Sequence, residues 1–494
     1  MSTNKFSNRW GIILAALGMA IGAGNLWRFP RLAGQYGGSF IVLWILFLFI
    51  WSIPILLAEF AIGRKFKTSV IGAFIALLGQ RYAWMGFFVT VCSLGIAFYY
   101  SVVAAWAVTY FGYSVNNLVS DISINEILNS DPEYLTQQWH HVTNGNLITV
   151  AVYILVVLVT TFILKKGIKN GLEKANKVII PSLFIMIIII LITGVSLPNG
   201  VLGLNHMFHV DISDFLNSRI WIEAVTQSAW STGAGWGLMM TLSSYTQDNE
   251  DVTLNTMIGA FGNNTASLLA GTAIIPAVFA LSASEEAAID FLASGNLSLT
   301  FTIIPKLFDS FPYGNWLSVV FFMALFSAAL SSLLAMVQLL RNNLDEIGLK
   351  PPKSDLIILS AFILFGFPSA YYLDFFSNQD WVWGVGLLLS GFFILVAVVK
   401  TGARKFFEKN VLPNSDLWIS PKLFKWIIIL NIPIAIGLIY WWLSRDYSKS
   451  WFNENGHWDL FGVYSNASTV TQWGLVILIG ILLNNYLVRK FHHK

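Results

Sequence analysis

Residues 18–31, Gly-Met-Ala-Ile-Gly-Ala-Gly-Asn-Leu-Trp-Arg-Phe-Pro-Arg, lie in the first long apolar stretch and hold residue types that a membrane-spanning helix avoids. Gly18, Gly22 and Gly24 each weaken a helix by roughly 1 kcal/mol relative to Ala, Pro30 lacks a donor, and Asn25 and Arg28 carry polar groups to bilayer depth. A helix broken here exposes N–H and C=O groups, which hydrocarbon tolerates only where the break lines a cavity holding something that satisfies them. The donor end of such a break suits a carboxylate, and the freed carbonyls suit an ammonium or a hard cation. A second stretch of this kind, Trp-Ser-Thr-Gly-Ala-Gly-Trp-Gly, occupies 230–237, so Gly-Ala-Gly occurs at 22–24 and again at 233–235. Catalytic chemistry finds no comparable set. Cys92 is the only cysteine and reads as a small buried hydrophobe, which excludes an internal disulfide and a Cys-based metal centre. The seven His, at 140, 141, 206, 209, 457, 492 and 493, all fall in loops or the tail. His206-x-x-His209 has a formal metal spacing but reads as a solvated loop pair, so an enzyme is not expected.

The chain that positions these residues has 494 of them, 56% hydrophobic and 11% charged, with 20 Trp and 38 Phe, which is the composition of an all-α polytopic membrane protein. A net charge of +3, with the basic residues confined to loops, gives no footprint for nucleic acid; the lipid bilayer is the expected partner. Lys5 and Arg9 precede an apolar stretch that runs on to Pro30 without an Ala-x-Ala-like site, so it reads as a retained helix and not a signal peptide. At about 20 apolar residues per span, twelve transmembrane helices are predicted: 10–30, 39–62, 84–113, 146–164, 178–196, 219–245, 255–281, 314–340, 355–373, 380–399, 426–443 and 469–488. Five Lys at 165–177 and six Lys or Arg at 400–425 assign those loops to the cytoplasm. The loop at 116–139, with Asp121, Glu126, Asp131 and Glu133 and no Lys or Arg, suits the outside. Both termini then fall inside, in a plasma membrane or the inner membrane of a bacterium. Gln247-Asp248-Asn249-Glu250-Asp251 dissents, being acidic on the inner side, but acidic residues weigh little in the charge rule.

The two breaks open the first and sixth spans, five helices apart. Because five is odd, two similar five-helix units in succession have opposite orientations, the inverted repeat of many secondary transporters, with a midplane site at matching broken helices. Glycines for close helix packing explain either cluster alone but not both together. A channel needs a continuous wet path, whereas large aromatics and charges flanking the breaks suggest occlusion. The whole chain reads as one transmembrane domain, with a first repeat at about 10–196, a second at about 219–399, and extra helices 11 and 12 at about 426–488. The aromatic loop at 444–468, with Trp451, Trp458 and Tyr464, reads as an interfacial belt.

Gly-Met-Ala-Ile-Gly-Ala-Gly-Asn-Leu-Trp-Arg-Phe-Pro at 18–30, Gly-Gly-Ser-Phe at 37–40, Glu59 with Gly63-Arg64, Tyr99-Tyr100 and the glycine-broken sixth span resemble the neurotransmitter:sodium symporter family over the first ten helices. The resemblance implies the LeuT-type fold with a 5+5 inverted repeat and broken helices 1 and 6, sodium-driven import and alternating access. It further implies a carboxylate held by the N–H groups near Gly22 to Gly24 and by Tyr100, and an ammonium held by carbonyls around Ala20, Trp230 and Ser231. Gly22 stands where the monoamine branch has an aspartate, so an amino acid is expected. One Na+ is expected at Ala20, Asn25, Ser231, Asn263 and the substrate carboxylate, and a second at Gly18, Ile21, Ala328, Ser331 and Ser332. The resemblance places the side-chain pocket at Ala23, Ile96, Trp230, Gly233, Trp236, Ser332 and Met336. Trp236 favours a small neutral substrate such as glycine or alanine; Gly233 opens space for a larger aromatic or aliphatic one.

By the same resemblance Arg28 and Asp380 form an outer gate. Tyr245, Gln338 and Glu346 belong to the inner one, with Thr3 in place of the family arginine and Lys5 or Arg9 as its substitute. Glu59 is expected to satisfy N–H groups freed by the breaks. Chloride leaves two readings open. Ser267 stands at the chloride-type position beside Gln227 and Ser231, although Trp44 replaces the expected tyrosine. Glu223, one turn before Gln227, could supply the negative charge instead. Glu223 or Glu59 could also titrate in a proton-coupled carrier. A non-transporting amino-acid sensor on the same fold is the alternative outside transport, and a monomer or homodimer is expected.

Overall fold

The computed structural model describes residues 5–309, 313–444, 451–453, 455–460 and 462–491; Thr3, His492 and His493 lie outside these. It is built of helices, and among the described residues the only extended pairings are the isolated bridges Asn144–Tyr372 and Phe452–Trp458. Helix α1 (Arg9–Ala20) starts where the Asn8 side chain accepts the Gly11 N–H at 3.1 Å. It ends at Ile21, whose ψ of 87° leaves the helical region, and the one-turn α2 (Ala23–Leu26) resumes after Gly22 in extended backbone. Helix α3 (Arg28–Phe47) then carries the chain through the end of the first predicted span and into the second. The turn expected there is reduced to a kink at Gly37, φ +59°, a conformation that costs glycine little. A short helix, Gly200–Phe208, and not the expected loop, seals the kink at its C-terminal end: the Gly38 N–H donates to the His209 carbonyl at 2.7 Å, and the His206 ring lies 2.6 Å from the Gly34 carbonyl. A π-helical turn at Leu48–Ser52 leads into α4 (Ile53–Phe66).

The succession continues with α5 (Ala83–Val119), α6 (Leu147–Lys165), α7 (Lys174–Val195), α8 (Ser218–Thr232), α9 (Leu238–Ser243), α10 (Val252–Leu281), α11 (Gly314–Glu346), α12 (Lys353–Tyr371), α13 (Leu373–Lys400), α14 (Pro421–Ser444) and α15 (Asn466–Leu482). With each broken span counted once, these helices are consistent with the twelve spans. Their burial sorts them into two layers. The apolar cores of Arg28–Phe66, Gln80–Val119, Gly314–Glu346 and Leu373–Lys400 are 72–78% buried, those of Leu147–Lys165, Ile168–Val195, Lys353–Tyr371 and Pro421–Ser444 only 22–44%. The second group forms a lipid-facing rim around the first.

The sixth span breaks between α8 and α9, where Gly233, Gly235 and Gly237 take φ of +73°, +91° and +74°. Residues with a Cβ rarely adopt these angles, which is why glycine recurs at every second position. The freed groups find partners on neighbouring helices. Buried Glu59 of α4 accepts the N–H groups of Gly235 at 2.7 Å and Met240 at 3.3 Å. Ser390 donates to the Gly235 carbonyl at 2.5 Å and Ser93 to that of Trp236.

Candidate binding site between two broken helices

A cavity of about 710 Å³ lies between the two breaks and opens toward the end of the molecule that carries residues 294–298 and 463–464. Ala20, Gly22, Gly24, Tyr100, Trp230, Ser231, Gly233, Trp236, Ser332 and Met336 line it. Ala23 and Ile96, expected in the pocket wall, do not: both are fully buried behind it. Ala23 contributes backbone instead, its N–H donating to the Tyr100 hydroxyl at 2.8 Å. A Cβ on Gly22 would stand 2.8 Å from that hydroxyl and 3.0 Å from Ser332 Oγ, so the position has no room for a side chain. The wall also includes Met19 and Leu238, each next to a break, and Val385 and Leu388 of α13, which no local sequence signal marks. Trp230 and Trp236 meet edge to face, ring centres 5.5 Å apart.

Two oxygen clusters flank the first break. Asn25 Nδ2 donates to Asn263 Oδ1 at 2.8 Å and to Ser267 Oγ at 2.9 Å. That same Asn263 oxygen lies 3.0 Å from the carbonyl oxygens of both Ala20 and Ser231. Turning the amide over would relieve this crowding of acceptors but would set its NH2 group 2.8 Å from that of Asn25. Either orientation leaves like against like, a conflict that a hard cation resolves by sitting among the three oxygens. In the second cluster, Ser331 Oγ lies 3.4 Å from the Ile21 carbonyl and 2.9 Å from that of Ala328, and Ser332 Oγ lies 3.2 Å and 3.1 Å from those of Gly18 and Met19. Carbonyls and hydroxyls of this kind, without His or Cys, fit sodium.

Three side chains keep a donor without a protein acceptor. Gln227, on the cavity wall, has neither amide atom bonded to another protein group, and the indole N–H of fully buried Trp44 is likewise unpartnered. Ser267 accepts from Asn25, which leaves its proton to donate. These groups fit a small anion. Glu223 is differently engaged: its Oε2 lies 3.2 Å from Arg28 Nη2, which also donates to Thr226 Oγ1 at 3.0 Å. The expected ion pair of Arg28 with Asp380 is therefore replaced by one with Glu223, because Glu223 and Thr226 sit one turn apart on the face of α8 turned toward Arg28. Asp380, exposed in the same cavity, has no ion pair among the described residues.

At the opposite end the chain closes over. Gln338 Nε2 donates to the Tyr245 hydroxyl at 2.9 Å, and the Phe6 N–H donates to the Tyr245 carbonyl at 3.2 Å. Among the described residues Glu346 meets no N-terminal cation; it accepts from the Thr68 hydroxyl and, at 2.6 Å, from the Ser69 N–H that opens the next helix. Arg9 turns instead to Asp251 at 3.3 Å, Asp416 at 3.4 Å and Glu250 at 3.9 Å. Lys67 pairs with Asp248 at 3.4 Å, and burial pushes its ammonium below the usual lysine range against the pull of that carboxylate. The acidic run that dissented from the charge rule is thus matched by cations from elsewhere.

Comparison with known proteins agrees with this geometry. The description of the Sodium:neurotransmitter symporter family matches residues 3–141 and 133–493. An uncharacterized sodium-dependent transporter of Methanocaldococcus jannaschii is 32% identical over 390 residues, 76% of this chain and 77% of the relative. The sodium-dependent serotonin transporter of Drosophila melanogaster is 25% identical over 413 residues, 75% of this chain and 65% of that one. Among solved structures, MhsT in complex with L-phenylalanine matches with a TM-score of 0.76 at 25% identity, covering 88% of this chain and 99% of that one. Matched along nearly its whole length and built around two broken helices, the chain belongs to the sodium:neurotransmitter symporter family, whose members are sodium-dependent transporters and not enzymes.

Proposed function

We propose that the protein imports a neutral amino acid together with sodium by alternating access. The observation that carries this reading is the junction at Gly22. Having no side chain, Gly22 lets the Tyr100 hydroxyl close on the freed backbone at Ala23, next to the oxygens of Ala20, Ser231 and Asn263. A substrate carboxylate placed there is held by donors on one side and completes the sodium cage on the other, which couples ion to substrate. The ammonium then meets carbonyls around Ala20, Trp230 and Ser231, and a second sodium is held by Gly18, Ile21, Ala328, Ser331 and Ser332. The end bearing Arg9, with both termini, faces the cytoplasm, and the repeats run over about 10–196 and 219–399. Because Arg28 already neutralises Glu223, the free donors of Trp44, Gln227 and Ser267 favour chloride over Glu223 as the charge beside the sodium.

The indoles of Trp230 and Trp236 favour a small side chain such as that of glycine or alanine. A specific observation favours a larger one: a Cβ on Gly233 would meet only the flexible end of Met19, at 3.2 Å, and MhsT was solved with L-phenylalanine. Uptake of radiolabelled glycine, alanine, leucine and phenylalanine into proteoliposomes, with an inward sodium gradient against potassium and with or without chloride, decides between them. Sodium-dependent uptake is expected, with chloride enhancing it. Uptake of phenylalanine selects the larger pocket, and sodium-dependent binding without uptake would replace the carrier by a sensor.

A further inference from the structure

The guanidinium of Arg28 lines the cavity together with two acids from different helices, Glu223 and Asp380. Glu223 and Thr226 on α8 hold it, at 3.2 and 3.0 Å. The Thr226 hydroxyl is set for this, since it donates to the Ile222 carbonyl at 2.7 Å and so presents its lone pair to the arginine. Asp380 on α13 lines the same cavity, exposed and without an ion pair among the described residues. Neighbouring charges do not offer the same exchange. Arg31 is occupied by Asn296 Oδ1 at 2.6 Å and Gln35 Oε1 at 3.3 Å. Asp374, six residues before Asp380 on α13, lines the cavity as well, but that spacing sets it about 120° away from Asp380 around the helix. The pair is also largely shielded, Arg28 and Glu223 being 16% and 15% exposed, so its strength is not screened away as that of a surface pair would be.

We propose that Glu223 is a positioning residue for the outer gate: it competes with Asp380 for Arg28, holding the guanidinium on the sixth span while the cavity is open and yielding it to Asp380 when the cavity closes. The inference rests on the alternating-access reading. Its consequence is that the open population depends on the balance between two carboxylates and not on a single gate pair, and that removing either acid tips the balance toward the other.

The test uses thiol labelling, for which the one native cysteine, buried Cys92, gives a silent background. Ser377→Cys places a reporter on the cavity wall of the full-length protein in proteoliposomes. Glu223→Gln is expected to lower the labelling rate about fivefold without substrate, Glu223→Asp to restore it, and Asp380→Asn to keep it high even with sodium and amino acid present. The double variant Glu223→Gln/Asp380→Asn separates competition from a structural role. Labelling that returns to the wild-type rate supports the exchange, and labelling that stays low overturns it. Wild-type labelling in Glu223→Gln alone would also overturn it. If sodium plus amino acid failed to slow labelling of the otherwise unmodified reporter protein, the transport reading would fall, while the order of rates among the substrate-free variants would still judge Glu223.

Discussion

At the scale of single residues, the proposed carboxylate end of the site depends on one hydroxyl. Tyr100 accepts from the Ala23 N–H, and its own proton is left to donate to the proposed carboxylate. Tyr100→Phe strands a buried N–H, at a cost of about 1–3 kcal/mol, and removes a donor to the substrate. Isothermal titration is expected to show amino-acid affinity reduced by roughly tenfold or more, while stabilisation by sodium alone survives. Both partners were legible in the sequence, because glycine at bilayer depth and a tyrosine in an apolar helix are each unusual there. The partner of Arg28 was not. Whether an arginine meets Glu223 or Asp380 depends on the rotation of α8 and α13 about their axes, and neither helix carries a local signal for that.

Elements set where the chain can break without loss. The sixth span survives three left-handed glycines because Glu59, from another helix, accepts two of the N–H groups the break releases. Glu59→Gln keeps one acceptor and loses the charge, so a destabilisation of about 2–3 kcal/mol is expected, read as a lower melting temperature with or without sodium. The breaks at Gly22 and Gly233 were visible from composition alone, since glycine clusters contradict an apolar helix. The kink at Gly37 was not, because a glycine pair between two spans reads equally well as an open turn; only the end of the helix that holds His206 and is capped by His209 fixes the backbone there. At the other end, Arg9 ties α1 to the α9–α10 connection and to the segment before α14. Arg9 is 40% exposed and Asp416 is 69% exposed, so Arg9→Ala is expected to change stability by less than about 1 kcal/mol. The same change is expected to raise labelling of a cysteine at position 244 on the inner side, and an unchanged rate would show that the inner seal rests on Tyr245 and Gln338 instead.

For the molecule as a whole, the proposal that two buried oxygen clusters hold sodium makes the ion part of the folded structure. An ion bound only by the native state stabilises it by mass action, by about 2.7 kcal/mol at one hundred times its dissociation constant. Melting curves in sodium against potassium are expected to separate accordingly, with Asn263→Ala narrowing the gap but not closing it, since the Ser331–Ser332 cluster is untouched. Fold class, membrane embedding and the approximate order of spans were readable because hydropathy follows directly from the bilayer. The pairing of distant charges was not, because it depends on contacts between segments hundreds of residues apart. The inner lock illustrates what that separation entails. Its members are Arg9, Asp251 and Asp416, and a chain leaves the ribosome N-terminus first. The first ten helices must therefore enter the membrane before the lock can be completed, which makes this seal a late step of biogenesis and the segment around Asp416 its final stitch.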